Sequence, residues 1–382
     1  MAIYRGLTWD HPRGRAALEE AARQSRAAGS DLDLRWNTHS LEGFESSPIH
    51  QLAEQYDVIV LDHPHLGEAL EHASLRPLDE VFTHDELEAW AAQTVGPALR
   101  SYVYGGHVWA LPLDTATQVG VLRADLVNAA PATWEEVDAL ADYSAVALSL
   151  AGPHAFLTFS SVCVALGEEP GADGGEYVSR PLGLAVIELL TRLADRAPDG
   201  SDGLNPIAML ENMATTDSIA YCPLIYGYVN YARVDLAKPL TFVDAPAREH
   251  GGRPGSTIGG TGLALTYRSK PGPELLEHLR WLLAPDTQRT FIPEHEGQPS
   301  AIAAWDDALV NQATGNFYRN TRRTIEQSWV RPRYGGYIAF QAKASALIRS
   351  ILSGETTPRT GLDQLQRLFS ASATAHTESR PA

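Results

Sequence analysis

Residues 106–142 read GHVWALPLDTATQVGVLRADLVNAAPATWEEVDALAD and hold two apolar runs separated by a short polar segment. The first run, 108–113, predicts a strand with a kink at Pro112, and the second, 119–122, predicts another strand. The polar residues 114–118 between them contain neither a glycine nor the Asn-Gly pair of a tight hairpin. Two interpretations follow: one kinked strand, or a point where the chain crosses between two lobes.

We expect the crossing, because a chain of 382 residues is too long for one ordinary hydrophobic core. In that interpretation Asp114, Thr115 and Thr117 face the gap between the lobes. Further along, Thr133 and Glu136 have the spacing of a capping box, which predicts that a helix begins there.

The composition is that of a soluble globular protein, with 44% hydrophobic and 20% charged residues. The formal net charge of −17 argues against nucleic acid and anionic membrane surfaces as partners. We expect no membrane insertion, because no window approaches 18 apolar residues. The start of the chain shows no signal-peptide pattern and no lipobox-like cysteine, so a cytoplasmic location is expected as written. The alternative is the mature form of an exported protein with an added Met.

The first part of the chain alternates strands with helices, which is typical of an α/β fold. Strands are predicted over 3–9, 31–36 and 58–61, with a helix over 15–28 after the first. Ligands of open α/β sheets gather outside the carboxyl ends of the strands. Polar, aromatic and histidine side chains follow two of these ends, namely Trp9, Asp10, His11, Arg13, Asp62 and His63.

The order of several short motifs along most of the chain resembles the carbohydrate-type, family 1 solute-binding proteins of ABC transporters. No single motif is decisive, but their succession and spacing carry the resemblance. The motifs are YDVIVLD at 56–62, ASLRPLDEVF at 73–82, WALPLD at 109–114, TWEE at 133–136, GGTGLAL at 259–265, LLAPDTQR at 282–289, RPRY at 331–334 and ILSGETTP at 351–358.

This resemblance implies a two-lobed type II periplasmic-binding-protein fold with a ligand cleft between the lobes. The first lobe would comprise 1–114 and 256–310, the second 115–255 and 311–369, and a disordered tail 370–382. The implied function is capture of a small polar solute, such as a sugar or related polyol, by hinge closure for an ABC-type importer. The protein would act as a monomer, with permease subunits as partners and without cofactors.

Candidate ligand-binding residues follow from the chemistry of polyols. Trp9, Tyr226 and Tyr228 offer flat faces for sugar rings, although ordinary core packing is the alternative for each. The carboxylates of Asp10, Asp62 and Asp114 accept hydroxyl protons, or else cap helices and turns. Arg13 would serve a solute that carries a carboxylate or phosphate, and the backbone near Gly260 and Thr261 is expected to approach the solute closely.

Other chemistries fit the sequence less well. His11, His63, His65 and His107 do not form a convergent ligand set, so no metal is expected. Cys163 and Cys222 each lie in an apolar run, and no disulfide is expected. Cys222 is the one candidate nucleophile, but no catalytic motif surrounds it. The alternative function is therefore a cytoplasmic member of the same fold that acts as an enzyme or sensor on a small metabolite.

Overall fold

A computed structural model describes residues 2–172 and 174–378 of the chain. It divides into two compact units, each built from separated segments. Unit 1 comprises Met1–Ala116, Gly259–Gln312 and Arg331–Gly335, and unit 2 comprises Thr117–Ile258, Ala313–Val330 and Gly336–Ala382. The sequence places the two main crossings after residues 114 and 255, close to these boundaries. The short segment Arg331–Gly335 differs, because the sequence assigns it to the second lobe.

The elements follow the α/β order over the described residues. The strands are β1 Ala2–Trp9, β2 Leu32–His39, β3 Val58–Leu61, β4 Val103–Tyr104, β5 His107–Val108, β6 Leu111–Leu122, β7 Tyr221–Tyr226, β8 Thr241–Val243 and β9 Ile258–Leu265. The helices are α1 Pro12–Ala27, α2 Leu41–Ser46, α3 Ile49–Ala53, α4 Leu66–Glu71, α5 His84–Gln93, α6 Ala98–Ser101, α7 Trp134–Leu140, α8 His154–Ala165, α9 Arg180–Asp195, α10 Pro206–Thr215, α11 Pro273–Leu283, α12 Pro285–Arg289, α13 Phe291–Glu294, α14 Ile302–Asp306, α15 Ala308–Ala313, α16 Phe317–Asn320, α17 Arg322–Glu326, α18 Tyr337–Leu352 and α19 Pro358–Glu378.

The sheet of unit 1 has the strand order β2-β1-β3-β9-β6. β1 lies parallel to β2 and β3, with Gly6 opposite Val58, and β9 runs antiparallel to β3, with Leu265 opposite Val58. Alternate residues of β3 pack into two hydrophobic clusters. Val58 and Val60 belong to one, and Ile59 and Leu61 to the other. Both faces of the sheet are therefore covered, which explains why this strand is apolar throughout.

β6 corrects the prediction for the stretch that opens the sequence analysis. The structure has one strand, Leu111–Leu122, with every residue buried, instead of two strands around a polar crossing. Pro112 lies within this strand, and its carbonyl accepts a hydrogen bond of 2.6 Å from the Ser300 hydroxyl. The two units divide within the strand, between Ala116 and Thr117.

Unit 2 combines the second half of β6 with a helical layer. β6 pairs antiparallel with β7 and β8, with Gln118 opposite Tyr226 and Gly120 opposite Val243. α8 is buried along its whole length and packs on α9 and α18. The predicted capping box at the start of α7 is confirmed, since Thr133 and Glu136 make both of its hydrogen bonds.

The end of the chain differs from the prediction of a disordered tail over 370–382. The structure continues α19 through Glu378, so residues 370–378 are helical where the sequence predicts disorder. Phe369 holds this helix by contacts with Tyr177 and Phe340, at ring distances of 5.3 and 5.8 Å. Residues 379–382 lie outside the described residues.

The described helices were compared with the requirements of a membrane span. None of them combines enough length with enough apolar character to cross a bilayer.

The segment Arg331–Gly335 is fixed to unit 1 by close backbone packing. A Cβ added at Gly67, in α4, would lie 2.2 Å from the Tyr334 carbonyl carbon and 2.4 Å from the Gly335 nitrogen. These are backbone atoms, which cannot rotate away as a side chain can. Glycine at position 67 is therefore required for this segment to lie where it does.

We expect the Gly67→Ala variant to lose about 1–3 kcal/mol of unfolding free energy, the usual cost of overpacking a tight contact. Urea denaturation followed by circular dichroism measures this loss. Gly203→Ala is the matched control, because a Cβ there meets no atom within 4 Å. Equal stability of the two variants would contradict the close packing of Arg331–Gly335 on α4.

Candidate functional site

The carboxyl ends of the parallel strands of unit 1 bring several predicted residues to one edge of the sheet. β1 ends at Trp9, separated by two residues from the start of α1, and β3 ends at Leu61, immediately before Asp62. Asp62 caps a short 3-10 helix, His63–His65, and its Oδ1 accepts the His63 backbone N–H at 2.8 Å. Polar side chains that the sequence separates by up to 269 residues meet at this edge.

A buried ion pair lies at the base of this edge. The Arg13 guanidinium donates from Nε to Oδ2 of Asp114 at 2.7 Å and from Nη2 to Oδ1 at 2.5 Å. Both side chains are only 4% exposed. Burial raises the pKa of Asp114, and the Arg13 guanidinium opposes that rise. The fork-shaped contact engages both carboxylate oxygens, and hydroxyl binding by Asp114 stays a prediction.

A second ion pair, Asp62 with Arg331, is more accessible. The Arg331 guanidinium donates to Oδ2 of Asp62, and the exposed fractions of the two side chains are 3% for Arg331 and 17% for Asp62. Burial alone would raise the pKa of Asp62, but Arg331 and His63 outweigh burial and hold that pKa well below its ordinary value. Asp62 is therefore ionised at neutral pH and partly reachable from solvent.

His63 and Tyr102 pack beside Asp62. His63 is fully buried, its Nδ1 lies 2.9 Å from Asp62 Oδ1, and burial lowers its pKa to about 4. The Tyr102 hydroxyl donates to the Leu61 carbonyl at 3.1 Å, and burial raises its pKa well above the ordinary value. Both groups are neutral at neutral pH, so Asp62 and Arg331 carry the local charge.

Trp9 is a core residue of unit 1 in this structure, and its contact with solute stays a prediction. Its side chain is 3% exposed and belongs to the main hydrophobic cluster of unit 1. The ring lies 5.2 Å from that of Phe44, and a Cβ at Gly14 would come within 2.4 Å of it. Replacing Trp9 with alanine would therefore remove core packing as well as any stacking face.

Asp10 and His11 have local partners. Asp10 is exposed and lies 2.9 Å from the Arg15 guanidinium. His11 is the N-cap of α1, and its Nδ1 accepts the Arg13 backbone N–H at 3.1 Å. Burial lowers the pKa of His11 to about 4. The capping role that the sequence offered for the aspartates belongs here to His11.

Three further predicted residues of unit 1 surround Asp114. A Cβ at Gly260 would lie 2.6 Å from the Asp114 carbonyl oxygen, and its φ of +96° is a conformation that favours glycine. Gly260 therefore approaches backbone, and a solute contact there stays a prediction. The hydroxyls of Thr115 and Thr261 are buried and make no hydrogen bond within the described part of the chain.

The remaining predicted residues, Thr117, Tyr226 and Tyr228, belong to unit 2. Thr117 joins a buried hydroxyl network, with its Oγ1 2.5 Å from Ser256 Oγ and 3.1 Å from the Thr257 carbonyl. That network engages its hydroxyl, and a contact of Thr117 with solute stays a prediction.

Tyr226 and Tyr228 differ in accessibility. Tyr226 is half-buried, and its ring meets His154 edge to face at 5.8 Å. Tyr228 is only 5% exposed and precedes the 3-10 helix Val229–Ala232. Of the aromatic candidates, only Tyr226 keeps an accessible surface for stacking.

The metal and cysteine hypotheses can be compared with the structure. No group of three or more His, Cys, Asp or Glu side chains among the described residues is placed to hold a metal. His107 instead pairs with Asp79 at 2.7 Å. Cys163 and Cys222 are both free and buried, and burial raises the pKa of Cys222 to about 12. A thiol with so high a pKa does not supply the thiolate that nucleophilic catalysis needs.

The sequence analysis missed Arg331, Tyr102 and Arg333 as parts of this edge. Arg333 donates to the carbonyls of Arg100 and Ser101 at 2.9 and 3.0 Å, and it lies 5.9 Å over the Tyr104 ring. The one available signal was the arginine pair of the RPRY motif in an acidic chain. Nothing local to that motif indicates that its partner is Asp62.

No protein-family model matches the chain. No curated protein matches it either.

Solved structures match over nearly the whole chain. An ABC transporter solute-binding protein from Agrobacterium radiobacter K84, in complex with ribitol, is 19% identical with a TM-score of 0.80, over 97% of this chain and 98% of that one. Maltose-bound MalE3 of T. maritima is 16% identical with a TM-score of 0.79, over 96% and 99%. The GacH receptor of Streptomyces glaucescens GLA.O, described with acarbose, is 15% identical with a TM-score of 0.78, over 98% and 99%.

The likeness to these structures establishes the fold. The chain has the two-lobed α/β fold of periplasmic binding proteins. At such low identities it does not by itself assign a solute, which has to be argued from the site.

We expect the unfolding free energy to fall as the pH drops from 6.5 to 4. The pKa values of His11 and His63 are about 4 in the folded chain, against an ordinary value of 6.5. Between these pH values the unfolded chain binds protons that the folded chain does not, and this stabilises the unfolded state relative to the folded one. The low pKa of Asp62 has its effect only below about pH 4. Urea denaturation at a series of pH values measures the loss.

The His63→Gln variant should lose roughly 2–3 kcal/mol less than the parent over that pH range, since one pKa unit is worth about 1.4 kcal/mol. His84→Gln is the control, because His84 is an exposed histidine of the same unit. If the two variants and the parent show the same pH profile, His63 is not held neutral by burial.

Proposed function

We propose that this chain is a solute-binding protein of the carbohydrate-type, family 1 group, which binds a sugar or related polyol for an ABC-type importer. The observation that carries the proposal is the half-buried, ionised Asp62 at the carboxyl edge of the unit 1 sheet. The motif order of the sequence and the fold shared with proteins described with ribitol, maltose and acarbose support it.

Asp62 has the properties of a hydroxyl acceptor. Its carboxylate is held in place by the Arg331 guanidinium on one oxygen and by the His63 backbone N–H on the other. Each carboxylate oxygen has further lone pairs, and hydrogen bonds to ionised acceptors are the stronger kind. A fixed, partly exposed carboxylate can therefore accept protons from sugar hydroxyls with little loss of side-chain entropy.

The proposed mechanism is closure of the two lobes on the solute. Closure is favoured when the solute makes contacts in the closed state that the open state lacks. Such hinge movements are known for periplasmic binding proteins as a group. In this proposal the protein acts as a monomer and presents the closed form to permease subunits.

The enzyme alternative has less support. Its one candidate nucleophile, Cys222, is buried with a pKa raised to about 12. The solved structures reported above include an ABC transporter solute-binding protein and a receptor described with acarbose. We therefore keep solute binding as the proposed function.

We expect at least one neutral sugar or polyol from a panel containing ribitol, mannitol, maltose and maltotriose to raise the melting temperature, because a ligand that binds only the folded state stabilises it by mass action. Asp62→Asn should weaken the titrated affinity by about five- to a hundredfold, the equivalent of roughly 1–3 kcal/mol for a lost buried contact. Isothermal titration calorimetry measures both proteins.

Asp79→Asn is the matched control for Asp62→Asn. Asp79 lies in the same unit, pairs with His107, and is 39% exposed. Undiminished affinity of the Asp62→Asn variant would remove Asp62 from the solute site. A panel in which every compound leaves the melting temperature unchanged would contradict sugar binding.

We expect small-angle X-ray scattering to show a smaller radius of gyration when a bound solute from that panel is added. Lobe closure brings mass together, so a solute that binds without changing the radius of gyration would contradict the closure mechanism. A control compound that does not bind in calorimetry should leave the scattering unchanged.

A further inference from the structure

We infer that the site around Asp62 selects uncharged solutes and rejects those that carry a carboxylate or phosphate, because Asp114 and Asp62 already pair with Arg13 and Arg331 at that edge. This inference rests on the proposed function and specifies its solute class. It also argues against the role that the sequence suggested for Arg13, which was to bind a solute that carries a carboxylate or phosphate.

The first cation, Arg13, is already paired within the protein. Its guanidinium contacts both oxygens of Asp114 at 2.7 and 2.5 Å, and both side chains are 4% exposed. An acidic solute would have to displace the Asp114 carboxylate, which contacts the guanidinium through both oxygens and belongs to the same chain. Because Asp114 does not have to associate from solution, it binds the guanidinium more favourably than a free carboxylate of the same chemistry.

The second cation, Arg331, is paired within the protein in the same way. Its side chain is 3% exposed and donates to Asp62, whose 17% exposure makes it the more accessible member of the pair. A solute that reaches this pair therefore meets the carboxylate before the guanidinium. A hydroxyl can donate to that carboxylate, whereas an anionic group is repelled by it.

The other cations near this edge also have partners. Arg333 donates to the carbonyls of Arg100 and Ser101. Arg15 lies 2.9 Å from Asp10 and 3.2 Å from Glu19.

The histidines add no positive charge at neutral pH. Burial lowers the pKa of both His11 and His63 to about 4. The net charge of −17 gives the whole chain a field that opposes anions as well.

The test compares matched pairs that differ by one ionised group: mannitol with mannonate, glucose with glucuronate, and maltitol with maltobionate. With the unmodified protein, calorimetry should show the neutral member of a binding pair at least about tenfold tighter than the acid, since like charges at a recognition site are strongly unfavourable. An acid that binds as tightly as its neutral partner would overturn the inference while leaving sugar binding intact. If no member of any pair binds, sugar binding itself fails and the inference fails with it.

Charge-removing variants locate the selectivity. Asp62→Asn and Asp114→Asn each leave a guanidinium without its carboxylate partner. In both variants we expect the preference for the neutral solute, measured as its affinity divided by that of the acid, to decrease at least about tenfold. Asp33→Asn is the matched control. The Asp33 side chain is 4% exposed, as is that of Asp114, and it pairs with Arg35 at 2.6 Å. Asp33 lies near the start of β2, away from the carboxyl ends of the strands.

An unchanged ratio in both site variants would show that these carboxylates do not set the solute class, and a comparable shift in Asp33→Asn would show a general charge effect. Either result overturns the inference. Should a site variant fail to fold, the affinities of the unmodified protein for the matched pairs still decide the matter.

Discussion

The ion pair between Asp62 and Arg331 is the contact on which the rest of the unit 1 site depends. It joins the end of β3 to a segment of only five residues, Arg331–Gly335, that unit 2 segments flank on both sides in the sequence. A buried guanidinium is costly without a partner, and removing one member of such a pair typically costs about 3–5 kcal/mol. The same carboxylate fixes the turn at His63 through the backbone N–H. One side chain thus sets both the position of the segment and the charge of the site.

The ion pair between Arg13 and Asp114 also joins parts of unit 1 that lie far apart in the sequence. Arg13 lies in the first turn of α1 and Asp114 in β6, so their contact fixes the start of the helix against a strand far along the sequence. Gly260 then permits β9 to approach the Asp114 backbone, where a Cβ would come within 2.6 Å. Paired charges rather than an apolar surface therefore line the base of this edge. Such pairs add little net stability, which is consistent with a role in recognition.

Much of the fold was predictable because its signals are local. β3 was predicted at its observed bounds because four apolar residues in a row indicate a strand buried on both faces, and the capping box of α7 depends on two residues three apart. The site was less predictable because its contacts are not local. Trp9 has an aromatic face of the kind that stacks on sugars, but in the structure it packs against Gly14 and Phe44. Arg331 was missed because its partner lies 269 residues earlier.

The pairing of Asp62 with Arg331 also explains why a polar, uncharged solute would fit this edge. Sugar hydroxyls both donate and accept, so they need fixed partners of both kinds rather than a net charge. Asp62 supplies an acceptor whose ionisation is secured by Arg331, and its low pKa keeps that acceptor available throughout the neutral range. A lone carboxylate in the same place would gain a proton as burial raised its pKa and would then cease to be a pure acceptor. In the proposed function, the guanidinium therefore keeps the carboxylate ionised, and hydroxyl recognition depends on a cation that the solute need not touch.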